Sequence, residues 1–353
     1  MELVIACSNH ASHPYIKEIN MELLRAKGTE DYEPERKILR ETIISSLKKV
    51  FERYGFNPLE TPILELYSTL SAKYAGGAEI LKETFRLKDQ GDRDLGLRYD
   101  LTVPLARFIA MTPQIGFPFK RYQIEKVFRD GPVTKARIRE FWQCDVDTVG
   151  VKNLRADVEI IKLALDVMKE LKLKCKIKVN NRKLLNEMCA YANIQENKES
   201  VILSIDKMYK IGKEGVMKEL REKKIPEGSI KKIFTLISGS GTNLQKLERI
   251  EKKMKGQGVQ ELKEAFRYFG KEVEFDPCLA RGLSYYTGTI FEIVLKDENL
   301  GCSVGGGGRY DNMIGGFSGN REIPAVGISF GLEPLTWAVS QKKTMVKSVT
   351  QLY

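Results

Sequence analysis

The charged residues of this sequence that could do chemistry together concentrate in KVFRDGPVTKARIREFWQCDVD, residues 126–147. Arg129 closes one β-rich run, and the next begins near Arg139. A strand–loop–strand hairpin rich in Arg and Lys can wrap a triphosphate, because planar guanidinium forks donate to phosphate oxygens. On the second run Gln143, Asp145 and Asp147 alternate, and in a strand they face one way. A carboxylate inside a sheet cleft suits an ammonium group, and an amide beside it can fix a polar ring. Asp100, two residues after Arg98 in LRYDLTVP, adds a further acid. Each signal alone is modest, since basic turns and surface ion pairs are common.

Two later segments have the same quality. In LARGLSYYTGTIFE, Arg281 precedes a Gly-containing turn, where an arginine could act as a fixed cation. Tyr285 and Tyr286 are expected on opposite faces of the following strand, a pattern that more often serves packing than binding. GCSVGGGGRYDNMIGG carries Gly305 to Gly308 in succession, read as a turn that permits close backbone approach and positive φ. It lacks the strand–GxGxxG–helix setting of a dinucleotide site and the GK[ST] ending of a phosphate loop. AVGISFGLEPL reads as strand, turn and helix, with Glu333 near the helix start.

The elements that must position these residues follow from periodicity and breakers. Pro34 suits a first helical turn, and Ile43, Leu47, Val50, Phe51 and Tyr54 recur on one helix face. Gly55 stops that helix, and FNPLETPILEL is extended and punctuated by proline. TFRLKD, DLGLRYD, FKRYQIEKVFRD and REFWQCDVDTVG are expected as neighbouring strands, with VPLARFIAM a helix between the second and third. Such runs fit an antiparallel sheet better than repeated βαβ units. LRADVEIIKLALDVMKELKL is a long amphipathic helix, and KCKIKVN a strand. Residues 182–268 turn Lys- and Glu-rich and helical, with Gly and Pro breaks, and read as a helical insertion splitting the sheet domain.

At 353 residues the chain allows two or three globular units. No stretch approaches the roughly 18 to 20 consecutive apolar residues needed to cross a bilayer. The opening MELVIACSNHASHPYIKEIN lacks a basic leader and a cleavage pattern, so the expectation is a cytoplasmic protein with no membrane partner. Six cysteines are scattered without a CxxC pair, which argues against a zinc ribbon or a disulfide framework. No metal ligands are expected from the chain. The net charge of +11 suits a polyanionic partner or a solvated Lys-rich surface equally well. Neither an RNP nor a helix-turn-helix pattern sharpens it.

In order and spacing, these segments resemble the histidyl-tRNA synthetase family, class II aminoacyl-tRNA synthetases, from GTED at residue 28 onward. The Pro62 segment resembles motif 1, FRDGPVTKARIREFWQCDVD motif 2, and GISFGLEPL motif 3. LRYDLTVP resembles the amino-acid-binding segment, and ARGLSYYTG and GGGGRYD the two histidine-specific signatures. The resemblance implies an α+β fold: a class II antiparallel sheet flanked by helices, with a helical insertion. The divisions are residues 1–20 as an extension of unclear role, 21–181 and 269–343 as the split catalytic domain, and 182–268 as the insertion. Residues 344–353 would then begin an anticodon-binding domain.

The resemblance also implies histidine–tRNA ligase activity, with L-histidine, ATP and tRNA-His as substrates, Mg²⁺ accompanying ATP, and a homodimer formed through motif 1. Arg129 and Arg281 would be catalytic. Histidine would be bound by Asp100, Leu101, Thr102, Gln143, Asp147, Tyr285, Tyr286, Gly305 and Gly306. ATP would be held by Arg129, Arg137 and Glu333. Both histidines of the chain, His10 and His13, precede the matching region, which suits an electrostatic mechanism without an imidazole base. Pro334 stands where motif 3 normally carries an arginine, Ser284 where Asp is frequent, and Ala136 and Ile138 where Gly and Tyr are common in motif 2. The rival is a regulatory subunit of ATP phosphoribosyltransferase, a histidine-binding relative of the same fold that forms no adenylate.

Overall fold

The computed structural model describes residues 23–72, 78–134, 137–282, 285–296, 303–319 and 322–342. Residues 1–20 and 344–353, Ala136, Ser284, Cys7 and Cys302 lie outside them. The first helix, α1 (Pro34–Arg53), opens on its proline as expected. It is followed by β1 (Asn57–Pro58), β2 (Leu64–Leu66), α2 (Tyr67–Leu70), α3 (Ala78–Lys82), β3 (Arg86–Lys88), β4 (Asp94–Leu97) and α4 (Thr102–Met111). Then come the long hairpin β5 (Phe119–Phe128) and β6 (Glu140–Val149), α5 (Arg155–Glu170) and β7 (Cys175–Asn181).

Between β7 and the next strand lie six helices: α6 (Arg182–Tyr191), α7 (Lys198–Asp206), α8 (Met208–Glu222), α9 (Glu227–Ile237), α10 (Asn243–Glu251) and α11 (Gln257–Ala265). Pro226 separates α8 from α9, and a Thr242–Gln245 capping box starts α10. The chain returns to the sheet with β8 (Val273–Phe275), β9 (Thr289–Leu295) and β10 (Gly305–Arg309). It continues through α12 (Met313–Phe317), β11 (Ala325–Gly331) and α13 (Leu332–Ser340).

Among the described residues the main sheet has eight strands in the order β1-β5-β6-β11-β10-β9-β7-β8. Its central pairings, from β5 to β7, are antiparallel, and the two outer ones, β1–β5 and β7–β8, are parallel. The fold is therefore a mixed α and β structure built on a large, mostly antiparallel sheet flanked by helices. One expectation is corrected. TFRLKD and DLGLRYD do not neighbour the hairpin in this sheet; β3 and β4 join β2 in a separate three-stranded sheet.

Alternation along β6 and β11 decides which face carries helices. Cys144 and Val146 of β6 and Phe330 of β11 join the core with Ile43, Leu47, Val50 and Phe51 of α1, and the Phe51 and Phe330 rings stack at 6.0 Å. The alternate residues Gln143, Asp145, Asp147, Gly327 and Ser329 line a cleft on the other face. Burying α1 on one face thus leaves the polar residues of the same strands to build a site on the opposite one.

Candidate active site

The cleft has a volume of about 470 Å³, within the size range of small-molecule sites. Its floor is formed by β6, β11 and β10, which run side by side in that order. Gly305 to Gly308 do not form a turn. They are the central strand β10, and none of the four has positive φ. Their lack of side chains serves close approach instead. A Cβ on Gly307 would lie 1.9 Å from the Gly327 carbonyl oxygen, and one on Gly306 would lie 2.3 Å from Nη1 of Arg281. The signature arginine next to them, Arg309, turns away and forms a buried ion pair with Asp157 of α5. Its role is to hold β10 to the helix layer.

Two arginines face each other across the cleft. Arg129 follows β5, donates Nε–H to the Tyr99 carbonyl at 3.0 Å, and sits 5.2 Å from the Phe141 ring. Burial lowers its pKa while Asp100 opposes the shift; a guanidinium still stays charged. Arg281 lies in the loop between β8 and β9 in the left-handed region, φ 61°. Its backbone N–H and that of Ala280 both donate to Oδ1 of Asp206, at 3.2 and 2.9 Å. Nη1 of Arg281 donates to Glu292 at 3.1 Å. Burial depresses the Arg281 pKa, but Tyr286, Glu292 and Tyr285 outweigh it and raise the pKa overall. Arg137, from the loop between β5 and β6, is ion-paired to Glu83 at the cleft wall.

The carboxylates are deeper. Asp100 accepts the Val103 amide at 3.0 Å and so caps α4; burial raises its pKa, while the Val103 amide and Arg129 resist. Asp147 accepts the Tyr310 hydroxyl, and its other oxygen lies 2.7 Å from Nη2 of Arg121, a side chain with no solvent exposure. Asp145 is likewise buried, and Gln143 directs a buried Oε1 without a hydrogen-bond partner. Tyr285 and Tyr286 correct a further expectation. They do not alternate across a strand but precede β9 with rings 4.8 Å apart, both lining the cleft. Burial raises the pKa of both hydroxyls, and the Arg281 guanidinium opposes the rise at Tyr286.

Asp100, Thr102, Arg129, Arg137, Gln143, Asp147, Arg281, Tyr285, Tyr286, Gly305 and Gly306 therefore meet in one cavity. Leu101 does not line it. Its side chain is fully buried, and its carbonyl accepts Nη2 of Arg121 at 3.2 Å. Glu333 is not brought to the cleft either. Its carboxylate points to the helix face, where it accepts from Arg40 at 2.9 Å and from the Trp142 amide at 3.1 Å. Its charge there compensates the buried guanidinium of Arg40. Sequence reasoning missed Glu83, Phe141, Ser329 and Tyr310 in the lining, and Arg121 and Asp206 behind it. Only Phe141, two residues before Gln143, carried a readable signal.

Cationic walls over an acidic floor suit a ligand with a positive amine and ring at one end and phosphates at the other. Phosphoryl and nucleotidyl chemistry needs such fixed charge more than it needs a proton-transfer residue.

Residues 28–335 match the family model for histidyl-tRNA synthetase. Histidine–tRNA ligase 1 of Bacillus cereus is 48% identical over 334 residues, covering 92% of this chain and 77% of that protein. The crystal structure of histidyl-tRNA synthetase from Nostoc sp. PCC 7120 superposes with a TM-score of 0.81 at 31% identity, covering 93% of this chain and 78% of that one. A Bacillus halodurans protein described as an ATP phosphoribosyltransferase regulatory subunit/histidyl-tRNA synthetase shares the fold. Its TM-score is 0.78 at 22% identity, over 90% of this chain and 84% of that chain.

Proposed function

The chain belongs to the histidyl-tRNA synthetase family, and from that premise we propose that it is a histidine–tRNA ligase that joins L-histidine to ATP and then to tRNA-His. The observation that carries the reading is the convergence of Arg129 and Arg281 on one cleft floored by Gln143, Asp145 and Asp147.

Histidine enters with its α-ammonium toward Asp100 and Thr102 and its ring toward the tyrosine pair, Gln143 and the acidic floor. Its carboxylate then points to the arginines. ATP lies with its α-phosphate between Arg129 and Arg281, and Phe141, beneath Arg129, offers its ring to the base. One carboxylate oxygen attacks the α-phosphorus in line, pyrophosphate leaves, and histidyl-adenylate forms. The nucleophile is already an anion, so no side chain has to take a proton in this step. The two guanidiniums stabilise the charge that accumulates on the phosphoryl oxygens. Arg137 reaches the outer phosphates once it leaves Glu83. Mg²⁺ travels with ATP, its oxygen ligands coming chiefly from phosphates and water. A hydroxyl of the terminal ribose of tRNA-His then attacks the histidyl carbonyl carbon, forming the ester as the bond to the adenylate phosphate breaks and AMP leaves.

A second copy of the chain pairs through the motif 1 region. Exposed apolar side chains there, Ile63, Leu64 and Leu66 at 43, 49 and 51% exposure, support that contact. A cytoplasmic site of action fits the tRNA substrate and the four described cysteines, all buried free thiols. Among the described residues no helix is long and apolar enough to cross a membrane. The test is histidine-dependent exchange of pyrophosphate into ATP. Exchange with histidine and with no other amino acid is expected; histidine binding without exchange would replace the ligase by a regulatory histidine-binding protein.

A further inference from the structure

Among the described residues three arginines line the cleft, and each has a carboxylate within reach. Asp100 supports the charge of Arg129, Glu292 accepts from Arg281 at 3.1 Å, and Glu83 is ion-paired to Arg137. The first two carboxylates are anchored away from the arginine loops: Asp100 caps α4, and Glu292 belongs to β9. Glu83 is bonded at two points to the loop that carries its partner.

Glu83 directly follows α3, and its backbone carbonyl accepts the Asp130 N–H at 2.7 Å. That bond ties the end of α3 to the start of the loop between β5 and β6. The side chain reaches the far end of the same loop, where Nη2 of Arg137 donates to Oε2. Thr134 and Arg137 exchange backbone hydrogen bonds of 2.9 and 3.2 Å, so the Arg137 backbone is fixed while its long side chain can change partner. Gly131 lies against the pair: a Cβ there would stand 3.0 Å from Oε1 of Glu83 and 3.1 Å from Nη2 of Arg137. The two side chains are 22% and 45% exposed. An ion pair at that exposure contributes little stability, and a triphosphate tail offers the guanidinium a fork of more highly charged oxygens. Glu83 and Arg137 also act in opposite senses on the charge of Arg129, which puts the pair beside the arginine assigned to the α-phosphate.

We propose that Glu83 is a positioning residue for the nucleotide that acts through Arg137: it holds the guanidinium at the cleft wall until the outer phosphates of ATP take its place. This rests on the cleft being the ATP site of a ligase. The affinity for ATP is then lowered by the share of molecules in which Arg137 is still paired. AMP, which has no outer phosphates, does not compete for Arg137 and escapes this reduction. When pyrophosphate leaves, Glu83 is at hand to take the guanidinium back.

The experiment compares wild type, Glu83→Gln, Arg137→Ala and the double variant. Calorimetry reads the Kd for MgATP and for AMP, pyrophosphate exchange reads the KM for ATP and for histidine, and thermal melting checks the fold. Glu83→Gln keeps the side-chain shape and the backbone bond to Asp130. Its Kd and KM for ATP should fall about two- to fivefold, the worth of a half-exposed ion pair. Its Kd for AMP and KM for histidine should stay at the wild-type values. In the Arg137→Ala background the same substitution should no longer tighten ATP, because the two residues act as one unit. Should Gln fail to melt cooperatively, Glu83→Ser carries the same expectations. Unchanged or weaker ATP binding in a folded variant overturns the assignment. A gain that is as large in the Arg137→Ala background, or that extends to AMP, also overturns it, since Glu83 would then repel the nucleotide directly. A wild type that binds MgATP without exchanging sinks the ligase reading, and the binding arm still decides on Glu83. A wild type that binds no ATP overturns both.

Discussion

Arg281 sits at φ 61°, a backbone region that residues with a Cβ occupy at some energetic cost. The cost is borne because the conformation aims a half-buried guanidinium past Gly306 into the cleft. Arg281→Ala should reduce pyrophosphate exchange by on the order of 10²-fold or more, with an unchanged circular dichroism spectrum. Near-wild-type exchange would remove Arg281 from the mechanism. Asp145 gives a residue-scale test of a different kind. Its carboxyl pKa stands at about 7 in the fold, against about 3.9 in an unfolded chain. Between those values the native state binds the extra proton, so this group's contribution to stability falls as pH rises through the window. Asp145→Asn should therefore melt higher than wild type at pH 8, by about 2 °C or more, with the gap narrowing toward pH 5. A variant that melts lower at pH 8 would mean that the charge is well compensated in the free protein.

Among elements, the join between the helices and the sheet has a measurable consequence. Asp206, the last residue of α7, holds the backbone of Ala280 and Arg281, so a residue of the 182–268 segment sets the position of Arg281. Asp206→Ala should lower kcat for exchange on the order of 10- to 100-fold, as for a small misplacement of a catalytic group. The KM for histidine should move little. A fall confined to KM would show that Asp206 acts on the pocket rather than on the arginine. The Gly305–Gly308 strand makes a stability prediction. Gly307→Ala forces a Cβ against the backbone of β11, which should lower the melting temperature by about 5 °C or more.

Elements also explain what the sequence disclosed. Alternation is local, so Gln143, Asp145 and Asp147 were readable as one face of β6. The glycine run was not readable as a strand, because glycine has no strand preference and gains its place only from the close approach of β11. The tyrosine pair was assigned to a strand that begins three residues later. Arg121, Glu83 and Asp206 were invisible because Asp147, Arg137 and Ala280, the groups they hold, lie 26, 54 and 74 residues away in the chain. The place of Glu333 at the head of α13 was readable, but its ion pair with Arg40 of α1 was not.

For the whole molecule, the net charge of +11 is a statement about partners rather than about fold. If tRNA-His lies along basic surface, affinity should fall steeply with salt, with log K linear in log salt concentration. Histidine activation, placed in a cleft where Arg129 and Arg281 are half-buried, should depend on salt far less. Equal salt sensitivity of both would place the two processes on the same exposed charges. The arrangement of the sheet makes activation the more direct consequence of the structure. α1 covers one face, the polar alternates of β6 and β11 open on the other, and the arginines close over them. The measurement that bears most directly on this account is amino-acid-dependent pyrophosphate–ATP exchange by the purified chain. The account predicts exchange with L-histidine and none above background with the other standard amino acids. Exchange that is absent while histidine binds, or that proceeds equally well with another amino acid, would contradict it.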